Sequence, residues 1–458
     1  MKSFPIAALA QIIKAEVKGN TGGVVGGVST DSRTIKKGEC FFAVAGENFD
    51  GHDYIPEVFA KGAACAVVDK DVDGEKFAGR CILKVSDTVK SLGEFAAEYR
   101  RQANFKVIAI TGSAGKTTTR QIIYHVLKSH FRCCQSPKSF NNSIGVPLTL
   151  LGAGPQDEIV VAELGTNHPG EIAYLTQIAQ PDIALVTNVH PAHLEGFGSV
   201  EAIAQEKLSV SDGLRKDGIL IINGDSDLLI GACRNRDINF LTFGKSKGCD
   251  IKVREIVPVD LGSRFTIEEM QIFLPLPGPG NIENAVAAWA VCSRFALTTD
   301  DFARAVKTFS AVSMRSELLQ IGKLMVLNDC YNANPASMKN ALETLSHISS
   351  SKKRRPVFIC GNMAELGEQT EFFHTELGNS IAQAKVQLLL TVGNLAKIAA
   401  DAAKRAAHHN LQTESFDDVS AACDNLAKFI KDDDIILVKG SRIVKLELVV
   451  EKLNQIFS

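Results

Sequence analysis

The chain has 458 residues, 45% of them hydrophobic and 22% charged; at roughly 150 residues per domain, that length predicts two to four domains, each able to bury a core. A formal net charge of −2 leaves no excess of positive charge for a nucleic-acid backbone or an anionic membrane, so neither is expected as a partner. Eleven cysteines, odd in number, scattered and without a Cys-x-x-Cys spacing, argue against a disulfide framework or a zinc site and point to reduced thiols in a cytosolic protein.

Residues 4–10 are apolar, but Lys14 and Glu16 follow too soon for a secretion signal, and no uncharged run of about 18 residues could span a membrane. Residues 1 to about 100 read as a small α/β unit. Leu9, Ile12 and Ile13 predict an opening helix, and residues 40–44 and 64–68 predict short buried strands. Two loops beside them, Ser29-Thr30-Asp31-Ser32-Arg33 and Gly46-Glu47-Asn48-Phe49-Asp50-Gly51-His52-Asp53, are dense in glycine and hydrogen-bonding side chains, as turns commonly are. Residues 87–102 predict a helix leading into the next unit.

The second unit, about residues 101–310, opens with the pattern that organises the chain. A β-branched strand, residues 105–110, runs into Thr111-Gly112-Ser113-Ala114-Gly115-Lys116-Thr117-Thr118, and a helix follows. Glycines let backbone N–H groups close around phosphate oxygens, the helix N-terminus adds positive potential, Lys116 adds a mobile cation, and the Thr117 hydroxyl is placed for magnesium. The loop departs from the common pattern because Ile110 stands where its first glycine is expected. Further strands end in polar residues: 159–162 deliver Glu163, 183–186 deliver Thr187-Asn188-Val189-His190-Pro191-Ala192-His193, and 219–222 deliver Asn223-Gly224-Asp225. In open parallel sheets ligands collect beyond the carboxyl ends of strands, where these groups should meet the phosphate loop. After Ser199 a helix with Val200, Ile203, Lys207, Val210 and Leu214 on one face places a lysine on a buried stripe. Such a lysine either snorkels or pairs with an acid, or is neutral enough to form a carbamate with carbon dioxide; the helical pattern alone does not choose. Residues 251–273 alternate as a β-rich insertion, and a helix follows over 282–294, with Asn281 and Asn284 at its start as caps or as groups facing a base.

The third unit, about residues 311–458, alternates strands and helices as a second doubly wound sheet. Strands are predicted at 324–328, 357–360, 388–392 and 435–438, and helices from near Pro335, Glu371, Leu395, Asp417 and Val444. Its polar loops are Asp329-Cys330-Tyr331-Asn332-Ala333-Asn334-Pro335, Gly361-Asn362-Met363-Ala364-Glu365-Leu366-Gly367 and Lys439-Gly440-Ser441-Arg442. The fold class is therefore α/β in three domains, 1–100, 101–310 and 311–458, the second built on a phosphate loop with a mainly parallel sheet and the third doubly wound.

These residues resemble the ATP-dependent Mur ligases of peptidoglycan precursor synthesis, and within that family the branch that adds D-alanyl-D-alanine to UDP-N-acetylmuramoyl-tripeptide. The resemblance covers essentially the whole chain and implies that the second domain is a P-loop ATPase and the third Rossmann-like. It is carried by Thr111 to Thr118, Phe140-Asn141-Asn142-Ser143-Ile144-Gly145-Val146-Pro147, Glu163-Leu164-Gly165-Thr166-Asn167-His168-Pro169-Gly170-Glu171, Ala192-His193-Leu194-Glu195-Gly196-Phe197, Asp329 to Pro335 and Lys439 to Arg442.

The resemblance implies an N-terminal domain that holds the UDP-sugar, with Ser29, Thr30, Asp31, Ser32, Arg33 and Asn48 near the uridine diphosphate. It implies ATP on Gly112, Ser113, Ala114, Gly115, Lys116, Thr117 and Thr118, with Asn281 and Asn284 toward adenine and Arg315 and Asp329 toward ribose and phosphates. Two magnesium ions are implied, one on Thr117 and Glu163, a second on Glu163, His193 and a carbamylated Lys207, whose spacing from His193 is the family's. Asn141, Asn142, Asn332 and Asn334 would meet the peptide substrates. The family usually has histidine before Asn281, where this chain has Gly280, which puts the adenine contacts in question. A monomer without nucleic-acid or membrane partners is expected. Two related amide ligases, the one that adds the third peptide residue and folylpolyglutamate synthetase, are the nearest rivals, along with a nucleotide-dependent binding protein. The first would carry an Asp-Asn-Pro-Arg motif, which is absent, and the second normally lacks a domain ahead of its ATPase.

Overall fold

Short runs that are apolar at every position form strands buried on both faces, and such strands assemble as parallel sheets covered by helices. Among the described residues the chain builds three of these, of five, nine and six strands, together with a two-stranded ribbon. The computed structural model describes residues 1–458 except 73–76, 78, 138, 237 and 260; Asp260, inside the predicted β-rich insertion, is thus outside the described residues.

The N-terminal sheet runs Glu16–Lys18, Cys81–Lys84, Cys65–Val68, Glu39–Phe42, Gly27–Ser29, parallel but for its first pair. The strands predicted at 40–44 and 64–68 are Glu39–Phe42 and Cys65–Val68; the pattern misses Glu16–Lys18 and Gly27–Ser29 because they are three residues long and partly exposed, and it does not single out Cys81–Lys84, a largely buried four-residue run. The predicted opening helix is Ile6–Ile12.

The helix Thr88–Gln102, capped by Asp87, bridges the first two sheets. Its Phe95 meets Phe4 edge to face at 5.2 Å, and its Arg100, with no exposed surface, is bound on every side. Arg100 donates to the carbonyls of Ala179, Phe105 and Gln180 and to the Asp182 carboxylate at 2.7 Å. A buried guanidinium is tolerable only when its donors are satisfied in this way.

In the central sheet the order is Met270–Leu274, Gly262–Ile267, Ile251–Val259, Phe240–Gly244, Ile219–Asn223, Ile183–Val186, Lys106–Thr111, Ile159–Glu163, Cys133–Gln135. Pairing is parallel from Cys133 to Ile251 and antiparallel beyond, so the predicted insertion is a meander appended to a doubly wound core. Strand Lys106–Thr111 sits between Ile159–Glu163 and Ile183–Val186. The chain winds to one side of it and then crosses to the other, which makes its carboxyl end the topological switch point.

In the third sheet the order is Glu317–Ile321, Leu324–Asn328, Ile435–Lys439, Pro356–Gly361, Leu388–Val392, Gln412–Phe416, parallel after the first pair. The edge strands Glu317–Ile321 and Gln412–Phe416 were not legible because charged and polar residues interrupt them.

Two local readings change. The helix after Ser199 stops at Leu208 and tightens into a 3-10 turn, Ser209–Gly213; Ser209 and Ser211 each donate to a carbonyl three residues back, at 2.6 and 2.7 Å, and so compete with the α-helical ladder. Ile203, Lys207 and Val210 nevertheless remain on one buried stripe. Asn281 and Asn284 are not caps: the helix is Pro279–Cys292, with Gly278 at the cap position and both asparagines inside it.

Candidate active site

At the switch point the backbone turns where only glycine fits comfortably. Gly112 has φ 146° and Gly115 φ 80°. A Cβ on the first would overlap the Thr187 hydroxyl, and one on the second the Asn284 amide oxygen. The next strand clamps the loop: Asn188 accepts from Ala114 N at 2.9 Å, Thr187 Oγ1 donates to Ala114 O at 2.7 Å, and Ser113 Oγ donates to His190 O at 3.0 Å. Helix Lys116–Leu127 then starts with its N-terminus at the loop, leaving a concave run of N–H groups suited to an anion. Lys116 Nζ folds back onto Gly112 O at 2.7 Å. Burial depresses its pKa; the Glu163 carboxylate opposes this and the Arg315 charge adds to it.

A cavity of about 520 Å³ opens over this loop between the central and third units. Ser113, Ala114, Gly115, Lys116, Thr117 and Thr118 line it, whereas Gly112 lies behind the wall. Glu163, only 2% exposed, accepts from Thr117 Oγ1 at 2.8 Å and from Asn141 Nδ2 at 3.0 Å. Arg120 Nε stands 4.0 Å from the same carboxylate. Asn141 thus orients Glu163, and Asn142 spends its side-chain oxygen on Gly145 N at 2.9 Å, so its amide nitrogen alone remains for a ligand. Arg120 is fully buried, and its Nε and Nη2 have no hydrogen-bond partner. Lys116 and Arg120 each feel the charge of Arg315 as well as the Glu163 carboxylate, so three cations gather about one carboxylate, an excess of positive charge that an anion would offset.

Magnesium is usually held by one or two carboxylates with substrate phosphates and water making up the octahedron. Thr117 and Glu163, an adjacent hydroxyl and carboxylate at the cavity wall, fit that demand. No group of three or more histidine, cysteine, aspartate or glutamate side chains among the described residues forms a ready-made metal cage. His193 lines the cavity and has φ 56°. Its Nδ1 lies 2.5 Å from a Glu365 carboxylate oxygen, an ion-pair contact rather than an aligned hydrogen bond. Glu365 responds with a depressed pKa, caused chiefly by His193.

Lys207 is 2% exposed and does not line the cavity. The neighbouring Glu206 makes no ion pair with it among the described residues, because that carboxylate caps the helix Glu171–Ala179 through Gly170 N at 2.7 Å and Ile172 N at 2.8 Å, but its charge partly opposes the depression of the Lys207 pKa. Burial pushes the Lys207 pKa well down, and the Lys116 charge pushes it further.

The third unit closes the cavity with its strand ends. Lys439 Nζ binds Asp329 Oδ2 at 2.5 Å and Asn332 O at 3.0 Å, and Asp329 Oδ1 accepts from Ser316 N at 2.8 Å. Asn334 caps the helix Pro335–Lys352 and also donates to Ser113 O of the phosphate loop at 3.3 Å. Arg315, Asp329, Asn332 and Asn334 all line the cavity, as do Asn281 and Asn284. Asn281 Nδ2 donates to Pro277 O at 2.8 Å. A Cβ at Gly280 would come 2.9 Å from Asn340 Nδ2, the end of a flexible side chain on the helix Pro335–Lys352, so a small shift of that amide would admit a side chain there.

Ser29, Thr30, Asp31, Ser32, Arg33 and Asn48 stand apart from this cavity. Their loops leave the carboxyl ends of two adjacent parallel strands, Gly27–Ser29 and Glu39–Phe42, so both face one edge of the N-terminal sheet. Arg33 forks onto Asp31 at 2.9 and 2.8 Å and lowers its carboxyl pKa to about 2. Asn188, Tyr331, Glu365 and Lys439 also line the cavity; the sequence reading places them only within their loops and gives them no role. Asn188, Tyr331 and Glu365 sit in polar loops after strands and Lys439 ends one, and each is held by a partner from another element.

Residues 24–100, 110–292 and 314–442 match, respectively, the families described as Mur ligase family, catalytic domain; Mur ligase middle domain; and Mur ligase, glutamate ligase domain. The chain is 35% identical to the UDP-N-acetylmuramoyl-tripeptide--D-alanyl-D-alanine ligase of Bacillus subtilis over 94% of this chain and 93% of the relative. It is 32% identical to the protein of the same name in Escherichia coli over 99% of both. A crystal structure of MurF from Acinetobacter baumannii superposes with TM-score 0.89 at 27% identity, covering 99% of both chains. MurF ligase from Thermotoga maritima in complex with ADP superposes with TM-score 0.80 at 28% identity, covering 93% of this chain and 97% of that one.

Proposed function

The chain belongs to the Mur ligase family, and from that premise we propose how its cavity works as an ATP-dependent ligase that joins D-alanyl-D-alanine to UDP-N-acetylmuramoyl-tripeptide. The observation that carries the reading is a glycine-shaped phosphate loop, covered by the third unit, at which Lys116, Arg120 and Arg315 gather about the one carboxylate of Glu163. The relatives' names support the substrates, and the ADP complex of the Thermotoga relative supports the nucleotide.

A carboxylate is a poor electrophile, so the ligase first transfers the ATP γ-phosphoryl group to the tripeptide carboxylate: a C–O–P linkage forms and the bond to ADP breaks. Loop N–H groups and Lys116 hold the phosphates, and Arg315 spreads the charge in transfer. The dipeptide amine then attacks the carbonyl carbon; the new C–N bond forms, the C–O bond to phosphate breaks, and the ammonium proton is lost. Water would destroy the acyl phosphate, and the contact of Asn334 with Ser113 supports a third unit that closes to exclude it.

Bound magnesium supplies neutralisation of the repulsion between carboxylate and γ-phosphate. Thr117 and Glu163 would hold one ion. Glu163 and His193 would hold a second, and a carbamate on Lys207 would join them only by reaching past the cavity wall that it stands behind; its depressed pKa supplies the neutral amine that adds carbon dioxide, and among the described residues no carboxylate forms an ion pair with it. The loops at residues 29–33 and Asn48 would receive the uridine diphosphate, and Asn332 and Asn334 would border the dipeptide. The same reading makes the protein a cytoplasmic monomer.

Phosphate release assayed with each substrate omitted in turn tests the function. It should require ATP, the UDP-tripeptide and the dipeptide together and yield the UDP-pentapeptide by mass; release with ATP alone would leave a nucleotide-hydrolysing protein instead.

A further inference from the structure

We propose that Tyr331 is a positioning residue for the ligase reaction, its ring forming the platform that aims the Arg315 guanidinium at the phosphates of the bound nucleotide; this rests on the reading of the cavity given above. Arg315 Cζ lies 4.1 Å from the centre of the Tyr331 ring. Among the described residues the guanidinium makes no hydrogen bond and no ion pair. A flat cation resting on an aromatic face has one face occupied and its N–H edge free, and that edge is the part that matches a phosphate bidentately.

The platform is itself fixed. Tyr331 N donates to Met314 O at 3.2 Å, and its hydroxyl lies 2.5 Å from Ser139 Oγ on the central unit. The segment that carries the arginine is held in an uncommon shape: Met314 has φ 60° and Ser316 φ 51°. Two non-glycine left-handed residues on either side of one arginine persist only where the surroundings over-determine them, and such strain gathers at ligand clamps. Ser316 N is held by Asp329, which is in turn held by Lys439. Ring, strained segment and ion pair thus converge on the direction of one side chain. Because the Tyr331 hydroxyl meets Ser139 across the unit boundary, that direction is set only when the third unit is docked.

The test compares Y331L, Y331F, Y331W, R315A and the double variant Y331L/R315A. Dissociation constants for magnesium and a non-hydrolysable ATP analogue are measured by calorimetry with the UDP-tripeptide present, beside kcat and KM. Y331L removes the platform and should weaken the analogue roughly tenfold, the scale of a desolvated cation–π contact. R315A should weaken it at least as much, and the double variant should be no worse than R315A. Y331F keeps the face and loses the bond to Ser139, so it should lower kcat about two- to threefold; Y331W should restore most of the nucleotide affinity lost in Y331L. Unchanged UDP-tripeptide binding shows that each variant is folded. If R315A binds and turns over like the parent, the role given to Arg315 above fails. If R315A is impaired but Y331L is not, or if the two losses simply add, the positioning role of Tyr331 is overturned.

Discussion

Glu365, from the third unit, holds the His193 ring of the central unit: its carboxylate oxygen lies 2.5 Å from His193 Nδ1, and its own carbonyl accepts from Glu195 N at 3.2 Å. Both residues adopt left-handed backbone angles, 56° and 63°. Anchoring one ring nitrogen fixes where the other points, which is how ligating histidines are commonly set. His193 and Glu163 both line the cavity, and if both ligate magnesium, His193→Ala and Glu163→Ala should each raise the magnesium concentration needed for half-maximal activity and lower the maximum. A magnesium titration at saturating ATP checks this, and unchanged midpoints for both would make them structural residues.

Lys116→Ala should abolish turnover and leave UDP-tripeptide binding intact, because the phosphate loop lies in the central unit and the loops at residues 29–33 and Asn48 lie on another sheet. Calorimetry with the UDP-tripeptide measures it. Loss of that binding in a folded variant would overturn the division between the units.

Much of this arrangement was legible in the sequence because it depends on short-range chemistry. The glycines at 112 and 115, the strand before them and the helix after them specify a phosphate loop locally, and Glu163 and His193 follow strands that are apolar at every position. What could not be read depends on partners distant in the chain. Asn142 is spent on a helix cap, Asn334 on the phosphate loop and Glu206 on the start of another helix, and no residue pattern announces such commitments. The edge strands failed to stand out because exposed strands need no apolar alternation.

Lys207→Ala should be nearly inactive and partly rescued by acetate, which returns carboxylate oxygens to the vacated space; Lys207→Arg should not be rescued. Activity with and without acetate decides between a carbamate and a structural lysine. An active, unrescued alanine variant would exclude the carbamate.

Lys207 also predicts a pH dependence. Its folded pKa lies well below 10.5, so the unfolded chain binds more protons there and stability rises with pH across the window between the depressed value and the ordinary lysine value. Above that window the burial cost is gone; it grows as pH falls. In carbonate-free buffer the stability of Lys207→Met relative to the parent should therefore be greatest near neutrality and shrink toward pH about 10. Denaturant midpoints across that range measure it, and a constant difference would mean the lysine titrates normally.

Arg100→Ala should destabilise the protein by about 3 kcal/mol, since it strips a buried ion pair from Asp182 and three carbonyl acceptors. Lys106→Ala, which removes the exposed partner of the same aspartate at 3.2 Å, should cost under about 1 kcal/mol. Urea unfolding of both variants provides the comparison, and equal losses would contradict the structural role of Arg100.

The most direct measurement uses UDP-tripeptide carrying oxygen-18 in the carboxylate that reacts. If that carboxylate is phosphorylated before the dipeptide amine attacks, one labelled oxygen leaves with phosphate, and mass spectrometry of the phosphate released per peptide bond formed should show one oxygen-18. Unlabelled phosphate, or label recovered in AMP, would contradict an acyl-phosphate ligase built on Lys116, Glu163 and the closing third unit.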